Sequence, residues 1–240
     1  MCQACGCGDS KIVPVALNER ILAANDRAAR HNREHFRDRH VSVVNLMGSP
    51  GAGKTAVLEA TARSLGRDAR LGVLAGDLAT DNDARRIRAA GLVAESITTG
   101  TACHLDEEMI HKGLHRMPEW RTFDYLFIEN VGNLVCPAVY DLGQDVNVVA
   151  LAVTEGEDKP LKYPTMFQKA DLVLLTKIDL LPHLPDVSIA AIRANLSIVM
   201  PVPRMMLVSA RTGEGIDLWV QWLEALRVPR ASEHVIVGAL

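Results

Sequence analysis

The pattern Gly, four residues, Gly-Lys-Thr at residues 48–55 constrains this chain most, because it directly follows the apolar run 41–47. Glycines let backbone N–H groups turn toward a polyphosphate, Lys54 supplies a mobile cation, and the Thr55 hydroxyl can ligate Mg²⁺. The N-terminus of the following helix adds the positive end of the helix dipole. We predict a phosphate-binding loop; a glycine-rich turn without a ligand is the alternative. The predicted nucleotide contacts in this stretch are Gly48, Gly51, Ala52, Gly53, Lys54, Thr55 and Ala56.

The overall composition excludes several classes of protein. The chain has 240 residues, 48% of them hydrophobic, and a formal net charge of -3. That length allows one large α/β domain with a full core. No apolar segment approaches the roughly 20 residues that span a bilayer, and the first residues lack the regions of a signal peptide. We therefore expect a cytoplasmic protein that binds neither nucleic acid nor membrane.

Apolar runs alternate with amphipathic stretches, which predicts an α/β fold, and the phosphate-loop pattern indicates the P-loop NTPase class. Near-continuous apolar strands indicate a mostly parallel sheet covered by helices on both faces. We predict strands at 41–47, 71–75, 93–97, 124–129, 146–153, 171–176 and 205–209, and helices at 54–65, 83–90, 105–116, 188–198 and 215–227. We divide the chain into a flexible metal-binding tail (1–14), an amphipathic helix (15–36), a nucleotide-binding domain (37–228) and a C-terminal tail (229–240).

Two acidic residues follow predicted strands, at the edge where open α/β sheets bind ligands. Asp77 can hold a Mg²⁺-bound water or orient the attacking water, with strand-end turn chemistry as the alternative; for Asp81 or Asp83 we expect helix capping. Glu129 can reach the Mg²⁺ shell, and the Gly132 N–H can sense a γ-phosphate. The predicted catalytic residues are Lys54, Asp77, Glu129 and Gly132, and the predicted Mg²⁺ ligands are Thr55, Asp77 and Glu129.

Two later strand ends fit recognition of a guanine base. The Asp179 carboxylate can accept from both N1–H and N2–H₂, a donor pair that adenine lacks, while the Lys177 stem can lie along the base. Small residues at Ser209 and Ala210 let a backbone N–H approach the base oxygen. The ordered set resembles the motifs of the P-loop GTPases, which implies GTP and GDP as ligands. Many such proteins carry Asn where this chain has Thr176, so we expect weaker guanine affinity with selectivity preserved.

A set of soft ligands distinguishes this chain from other GTPases. We expect Cys103 and His104 to open a helix with acidic residues in its first turn, a placement that lowers a thiol pKa. Cys136 follows Gly132 by four residues. Two thiolates and an imidazole suit Zn²⁺ or Ni²⁺, yet a closed site usually needs four ligands, which a two-fold dimer would complete. Buried cysteines without a metal are the alternative.

Three more cysteines crowd the start of the chain as Cys2, Cys5 and Cys7. Their thiolates and the terminal amine could wrap one thiophilic ion, with a redox-sensitive tail as the alternative. Two pairs of histidines also stand at i, i+4 spacing, at residues 31 and 35 and at residues 111 and 115. We interpret these pairs as solvated helix-face residues, with metal binding by each pair as the alternative.

Several of these stretches together resemble one family. They are the start Met-Cys-Gln-Ala-Cys-Gly-Cys, the loop Gly-Ser-Pro-Gly-Ala-Gly-Lys-Thr, the stretch Gly-Asp-Leu-Ala-Thr-Asp-Asn-Asp-Ala, Cys-His-Leu at 103–105 and Glu-Asn-Val-Gly-Asn-Leu-Val-Cys-Pro at 129–137. The chain is similar over nearly its whole length to the HypB family, the hydrogenase maturation GTPases for nickel insertion. The related urease GTPase typically has Cys-Pro-His, whereas here Ala138 follows Cys-Pro.

The resemblance implies a GTPase that forms a homodimer when nucleotide is bound. It also implies that the bound nucleotide controls the delivery of nickel. It implies a HypA-type nickel metallochaperone and the [NiFe]-hydrogenase large subunit precursor as partners. The absence of a His-rich stretch after the tail argues against nickel storage. A urease-type nickel GTPase, or a metal carrier with a vestigial nucleotide site, is the alternative. The implied Ni²⁺ or Zn²⁺ ligands are Cys103, His104 and Cys136 at the subunit interface and Cys2, Cys5 and Cys7 in a high-affinity nickel site.

Overall fold

A computed structural model of the protein describes residues 15–66, 69–100 and 102–227, with side chains in the first helix described from residue 25 onward. The cysteines Cys2, Cys5 and Cys7 and the predicted C-terminal tail at 229–240 lie outside these residues. The division of the chain into tails, helix and domain therefore stays a prediction. None of the helices in the described ranges combines the length and the apolar character that a membrane span needs.

Within the described residues, seven strands form one sheet in the order β3-β2-β4-β1-β5-β6-β7. Every neighbouring pair is parallel. The prediction of a mostly parallel sheet is confirmed, and each predicted strand is present. The strands are β1 Ser42–Met47, β2 Leu71–Asp77, β3 Val93–Thr98, β4 Tyr125–Glu129, β5 Val146–Ala152, β6 Leu172–Thr176 and β7 Met205–Leu207.

The helices connect these strands. They are α1 Val15–Asp38, α2 Lys54–Leu65, α3 Asn82–Ala89, α4 Glu107–Arg116, α5 Lys159–Lys162, α6 Pro164–Gln168, α7 Ile189–Val199 and α8 Ile216–Leu226. Short 3-10 helices are Pro118–Thr122, Cys136–Ala138, Val153–Glu155 and Ile178–His183. We did not predict α5 and α6, because neither is long enough to show an apolar period. Each has a proline near its start, where a fixed φ suits the first helical turn.

Successive residues of a strand point to opposite faces of the sheet, and here both faces are covered. Val44 packs in a core with Leu58 of α2 and Trp219 of α8. Its neighbour Val43 packs on the other face with Phe36 of α1 and with residues of α4 and the adjoining strands. Burial on both faces explains why the strands read as unbroken apolar runs.

One contact fixes the helix that follows the phosphate loop. The indole Nε1 of Trp219 in α8 donates to Thr61 Oγ1 in α2 at 2.8 Å, and both side chains are fully buried. Thr61 Oγ1 in turn donates to the Val57 carbonyl at 2.7 Å. The buried polar atoms are therefore paired, and α8 holds α2 in place beneath the site.

A chain of three side-chain amides, two of them buried, crosses the centre of the sheet. Asn45 in β1 is fully buried, and its Nδ2 donates to Asn147 Oδ1 in β5 at 2.9 Å. Asn130, just after β4, donates from Nδ2 to Asn45 Oδ1 at 3.1 Å. Its own Oδ1 accepts from the Val131 N–H at 2.9 Å. This amide chain joins β5, β1 and the loop after β4 through side chains, in addition to the backbone ladder.

Two nearby glycines allow a matched test of packing at the start of α8. Gly213 and Gly215 have φ of 85° and 74°, but an added Cβ at Gly213 meets nothing within 4 Å. At Gly215 it would lie 1.9 Å from the Leu207 carbonyl oxygen in β7. We expect Gly213→Ala to cost about 1–2 kcal/mol of unfolding free energy and Gly215→Ala about 2–5 kcal/mol, measured by urea denaturation. Equal losses would show that the carbonyl contact does not limit the turn.

Candidate functional site

The phosphate loop connects β1 to α2 and encloses the Lys54 side chain. Positive φ at Gly48, Gly51 and Gly53 lets the backbone curve around it. The Lys54 ammonium donates to the carbonyls of Gly48 and Ser49 at 3.2 and 3.1 Å. Burial lowers the pKa of Lys54, opposed by the charges of nearby carboxylates. A phosphate bound in the loop can replace these carbonyls as the partner of the ammonium.

Thr55, the next residue, faces two carboxylates. Its hydroxyl lies 2.7 Å from Glu129 Oε1 and 3.0 Å from Asp83 Oδ1. Glu129 is only 2% exposed, and burial raises its pKa to about 7, although the Thr55 hydrogen bond opposes that shift. Among the described residues its buried Oε2 has no hydrogen-bond partner. An unpaired buried carboxylate oxygen is costly, and beside the Thr55 hydroxyl it suits a hard divalent cation.

The three aspartates at the end of β2 and the start of α3 have different surroundings. The Asp77 carboxylate accepts from the Leu78 N–H at 2.6 Å and from the Thr80 hydroxyl, so it orders its own turn. Helix α3 has Asp81 at its N-cap without a side-chain cap bond. Asp83 lies inside α3 and turns toward Thr55, so helix capping is wrong for Asp83. The density of acids at 77–83 was the only sequence signal for it.

One cavity of about 500 Å³ is lined by the predicted Mg²⁺ residues and by the predicted phosphate contacts other than Gly48 and Ala52. It lies at the carboxyl end of the central strands, as expected for an open parallel sheet. Asp77 lines it, even though its carboxylate also serves the turn. Further lining residues are Gly51, Gly53, Lys54, Thr55, Ala56, Asp83, Arg86, Glu129, Gly132 and Lys177.

A second cavity of about 250 Å³ shares Gly53, Ala56 and Lys177 with the first. Asp179 and Ala210 also line it, which places the predicted base-recognition residues together. The cavity is therefore suited in position to a base attached to phosphates in the loop.

Asp179 is held by a residue predicted for the same site. The fully buried Ser209 hydroxyl donates to Asp179 Oδ1 at 2.7 Å and accepts from the Thr212 N–H at 3.2 Å. Thr176 makes a contact that the sequence did not indicate: its hydroxyl donates to the Ala52 carbonyl at 2.6 Å. The residue that we expected only to weaken guanine binding also fastens the phosphate loop to β6.

The structure brings Cys103, His104 and Cys136 together, with their ligand atoms all within 4.8 Å of one another. The two sulfurs are 2.9 Å apart, and both cysteines are free. The His104 ring stacks on Tyr140 with centroids 3.8 Å apart. The hydrogen bond from Cys103, and then burial, raise the pKa of the Cys136 thiol. Burial lowers the pKa of His104, which favours the neutral imidazole that metals bind.

The prediction that Cys103 and His104 open a helix is wrong. Helix α4 begins at Glu107, and the Asp106 carboxylate caps it by accepting from the Met109 N–H at 2.8 Å. Both predicted ligands therefore lie in the loop before the cap.

The loop after β4 touches both sites. Gly132 packs so closely on the phosphate loop that a Cβ there would lie 2.9 Å from the Pro50 backbone nitrogen. Asn133 forms an antiparallel bridge with Gly48. The Asn133 Nδ2 also donates to the Cys103 carbonyl at 3.1 Å. One residue therefore contacts both the first glycine of the phosphate loop and the backbone of a metal-ligand candidate.

The profile of the family described as CobW/HypB/UreG, nucleotide-binding domain, matches residues 42–198. The hydrogenase maturation factor HypB of Azotobacter vinelandii is 49% identical over 219 residues, which cover 91% of this chain and 72% of that protein. The chain belongs to the HypB family.

Two solved structures share its fold at lower identity. HypB from Archaeoglobus fulgidus is 37% identical with a TM-score of 0.78, over 85% of this chain and 99% of that one. HypB from Helicobacter pylori in complex with nickel is 36% identical with a TM-score of 0.79, over 87% of this chain and 99% of that one. Membership in the HypB family confirms the resemblance drawn from the motifs.

The buried carboxylate of this HypB-family chain predicts a pH dependence of stability. With a pKa of about 7 when folded and about 4.5 when unfolded, Glu129 keeps its proton longer in the folded state. Its contribution is therefore fully present below pH 4.5 and is lost as pH rises through 7. Glu129→Gln cannot ionise and so does not lose this stability. We expect the melting temperature of the variant minus that of wild type to increase from pH 5 to pH 8, measured by calorimetry without nucleotide or metal.

Glu59→Gln is a suitable control, because Glu59 lies on the same domain in a surface ion pair with Arg86. It should show no such trend between pH 5 and pH 8. A constant difference between Glu129→Gln and wild type across this range would contradict the burial of an ionisable carboxylate.

Proposed function

We propose that this chain is a GTP-hydrolysing metallochaperone that couples its nucleotide state to nickel delivery during [NiFe]-hydrogenase maturation. The observation that carries the proposal is the double contact of Asn133, with Gly48 of the phosphate loop and with the Cys103 carbonyl. The names of the relatives, maturation factors of hydrogenase and a nickel complex among them, supply the biological setting.

The nucleotide half of the proposal rests on the loop and its acids. Lys54 and the loop N–H groups bind the phosphates of GTP, and Asp179 with Ser209 and Ala210 reads the guanine base. Thr55 and Glu129 fit Mg²⁺ because the buried Glu129 Oε2 lacks a partner in the described residues. When bound, Mg²⁺ would neutralise phosphate charge. We propose that Asp77 binds Mg²⁺ or orients a water molecule. Its carboxylate must first break the hydrogen bond that it accepts from the Leu78 N–H.

The metal half needs a second copy of the chain. Cys103, His104 and Cys136 supply three soft ligands, one fewer than a closed tetrahedral site takes. A two-fold dimer that joins two such sets completes the coordination of Ni²⁺ or Zn²⁺. Exposed apolar side chains at Val135 and Val139, 55% and 44% exposed, flank Cys136 and suit burial in that contact.

Coupling follows from which atoms move together. A γ-phosphate that accepts from the Gly132 N–H adds a bond that holds residues 132–133 against the loop, and phosphate release removes that bond. Because Asn133 holds the Cys103 carbonyl and Cys136 lies three residues further on, the ligand set responds to both states. By reciprocity, metal binding must then change nucleotide affinity.

Partners and the N-terminal tail complete the proposal. We propose that Cys2, Cys5 and Cys7 bind nickel, that a HypA-type metallochaperone exchanges the ion with this chain, and that the hydrogenase large subunit precursor receives it. The cytoplasm is the proposed location.

Calorimetry tests the coupling directly. With Ni²⁺ as titrant, the dissociation constant should differ by about 5- to 150-fold between the GDP form and a form with a non-hydrolysable GTP analogue. Asn133→Asp keeps the acceptor for the Val135 N–H but loses the donor to Cys103, so it should reduce this difference while nucleotide affinity stays within about threefold. Equal metal affinities in both nucleotide states of the wild type would refute coupling.

A second pair of variants separates hydrolysis from the tail. Lys54→Ala removes the buried ammonium and should lower multiple-turnover GTP hydrolysis at least about a hundredfold. Cys2→Ala should leave hydrolysis unchanged and lower only the number of nickel ions bound. If wild type fails to turn over GTP repeatedly, the chain is a carrier with a vestigial nucleotide site. If Cys2→Ala abolishes hydrolysis, tail and hydrolytic site are not separable.

A further inference from the structure

Four histidines meet where α1 packs against α4. On each helix the i, i+4 spacing puts two rings on one face, with centroids 4.3 Å apart for His31 and His35 and 4.7 Å apart for His111 and His115. The rings of His31 and His111 lie 6.0 Å apart, so the two pairs face each other across the helix seam. The sequence indicated two separate pairs and gave no sign that they share one surface.

Buried contacts fix this seam. Asn32 Nδ2, between the two histidines of α1, donates to the Glu107 carbonyl at the first residue of α4, at 3.1 Å. One turn further on, Phe36 packs edge-on against Trp120 with centroids 5.7 Å apart. The backbone positions of both histidine pairs are therefore set by neighbours that are themselves buried.

Within each pair the two rings contact one another through their Nε2 atoms. Nε2 of His31 and Nε2 of His35 are 2.9 Å apart, and the corresponding atoms of His111 and His115 are 3.1 Å apart, so one ring of each pair donates to the other. An ion bound by both nitrogens replaces the shared proton, once each ring has turned its lone pair toward the ion. Imidazole nitrogens suit divalent transition-metal ions such as Ni²⁺, Cu²⁺ and Zn²⁺.

The surroundings make each pair an open site. His31, His35 and His115 are exposed, so water reaches the remaining coordination positions. His35, His111 and His115 also line a cavity of about 160 Å³ together with Arg39 and Arg121. Two arginines beside the cavity weaken cation binding, which makes a bound ion readily exchangeable.

We propose that the His31–His35 and His111–His115 pairs are two separate imidazole chelates for a Ni²⁺-like divalent ion. Each chelate supplies two nitrogens and leaves the other positions to water. Among the described residues, only Cys103, His104 and Cys136 form a set of three whose ligand atoms lie within 4.8 Å of one another, so no three of the four histidines share one ion in this geometry. The chelates are thus additional to the thiolate site and lie on a different surface element.

Equilibrium dialysis of the full chain against Ni²⁺ tests the assignment. His35→Gln should remove one weakly bound equivalent, His115→Gln another, and the double variant both, because a lone imidazole binds on the order of a hundredfold more weakly than a chelating pair. His183→Gln, an exposed histidine outside the cluster, is the matched control and should bind as much Ni²⁺ as wild type.

A second measurement needs no variant. In proton spectra of the wild type, paramagnetic Ni²⁺ should broaden the imidazole signals of all four histidines at lower concentrations than those of His183. The proposal is overturned if either single variant keeps every equivalent of the wild type, or if one substitution removes both equivalents together. Broadening of His183 at the same Ni²⁺ concentration would also overturn it, because that would mark ordinary surface histidines.

Discussion

The close approach of residues 132–133 to the phosphate loop is the constraint on which the other features of the site depend. Gly132 has no room for a side chain against Pro50, and Asn133 pairs with Gly48 through the backbone. Asn133 also donates to the Cys103 carbonyl. Residues 132–133 therefore join the phosphate loop and the loop that carries Cys103 in one packed unit.

The charged groups of the site have protein partners. The Lys54 ammonium uses loop carbonyls as partners, and the Thr55 hydroxyl lies against Glu129 and Asp83. Both Lys54 and Glu129 are buried, and burial disfavours the charged form of each, as the lowered and raised pKa values show. These buried groups line one cavity of about 500 Å³.

The fold was predictable because buried parallel strands and the phosphate-loop pattern are both local signals. The sequence also predicted that the phosphate and base candidates would lie at one edge of the sheet, since most of them follow a strand end. Their binding roles stay predictions. The contacts of Asp83 and Asn133 could not be predicted, because they depend on which distant residue each side chain meets in the folded chain. Thr176 shows the same limit, since its bond to Ala52 joins residues 124 positions apart. The seam of four histidines required the packing of α1 on α4.

The amide chain through Asn147, Asn45 and Asn130 has a consequence for how the sheet assembles. If β5 slipped by one residue against β1, Asn147 would point to the opposite face and leave Asn45 with an unpaired amide in an apolar interior. Each unpaired group costs about 1–3 kcal/mol, whereas the surrounding valines and leucines would tolerate the slip far better. The three asparagines thus favour one register of β5 against β1. That register aligns the strand ends and the loops that follow them.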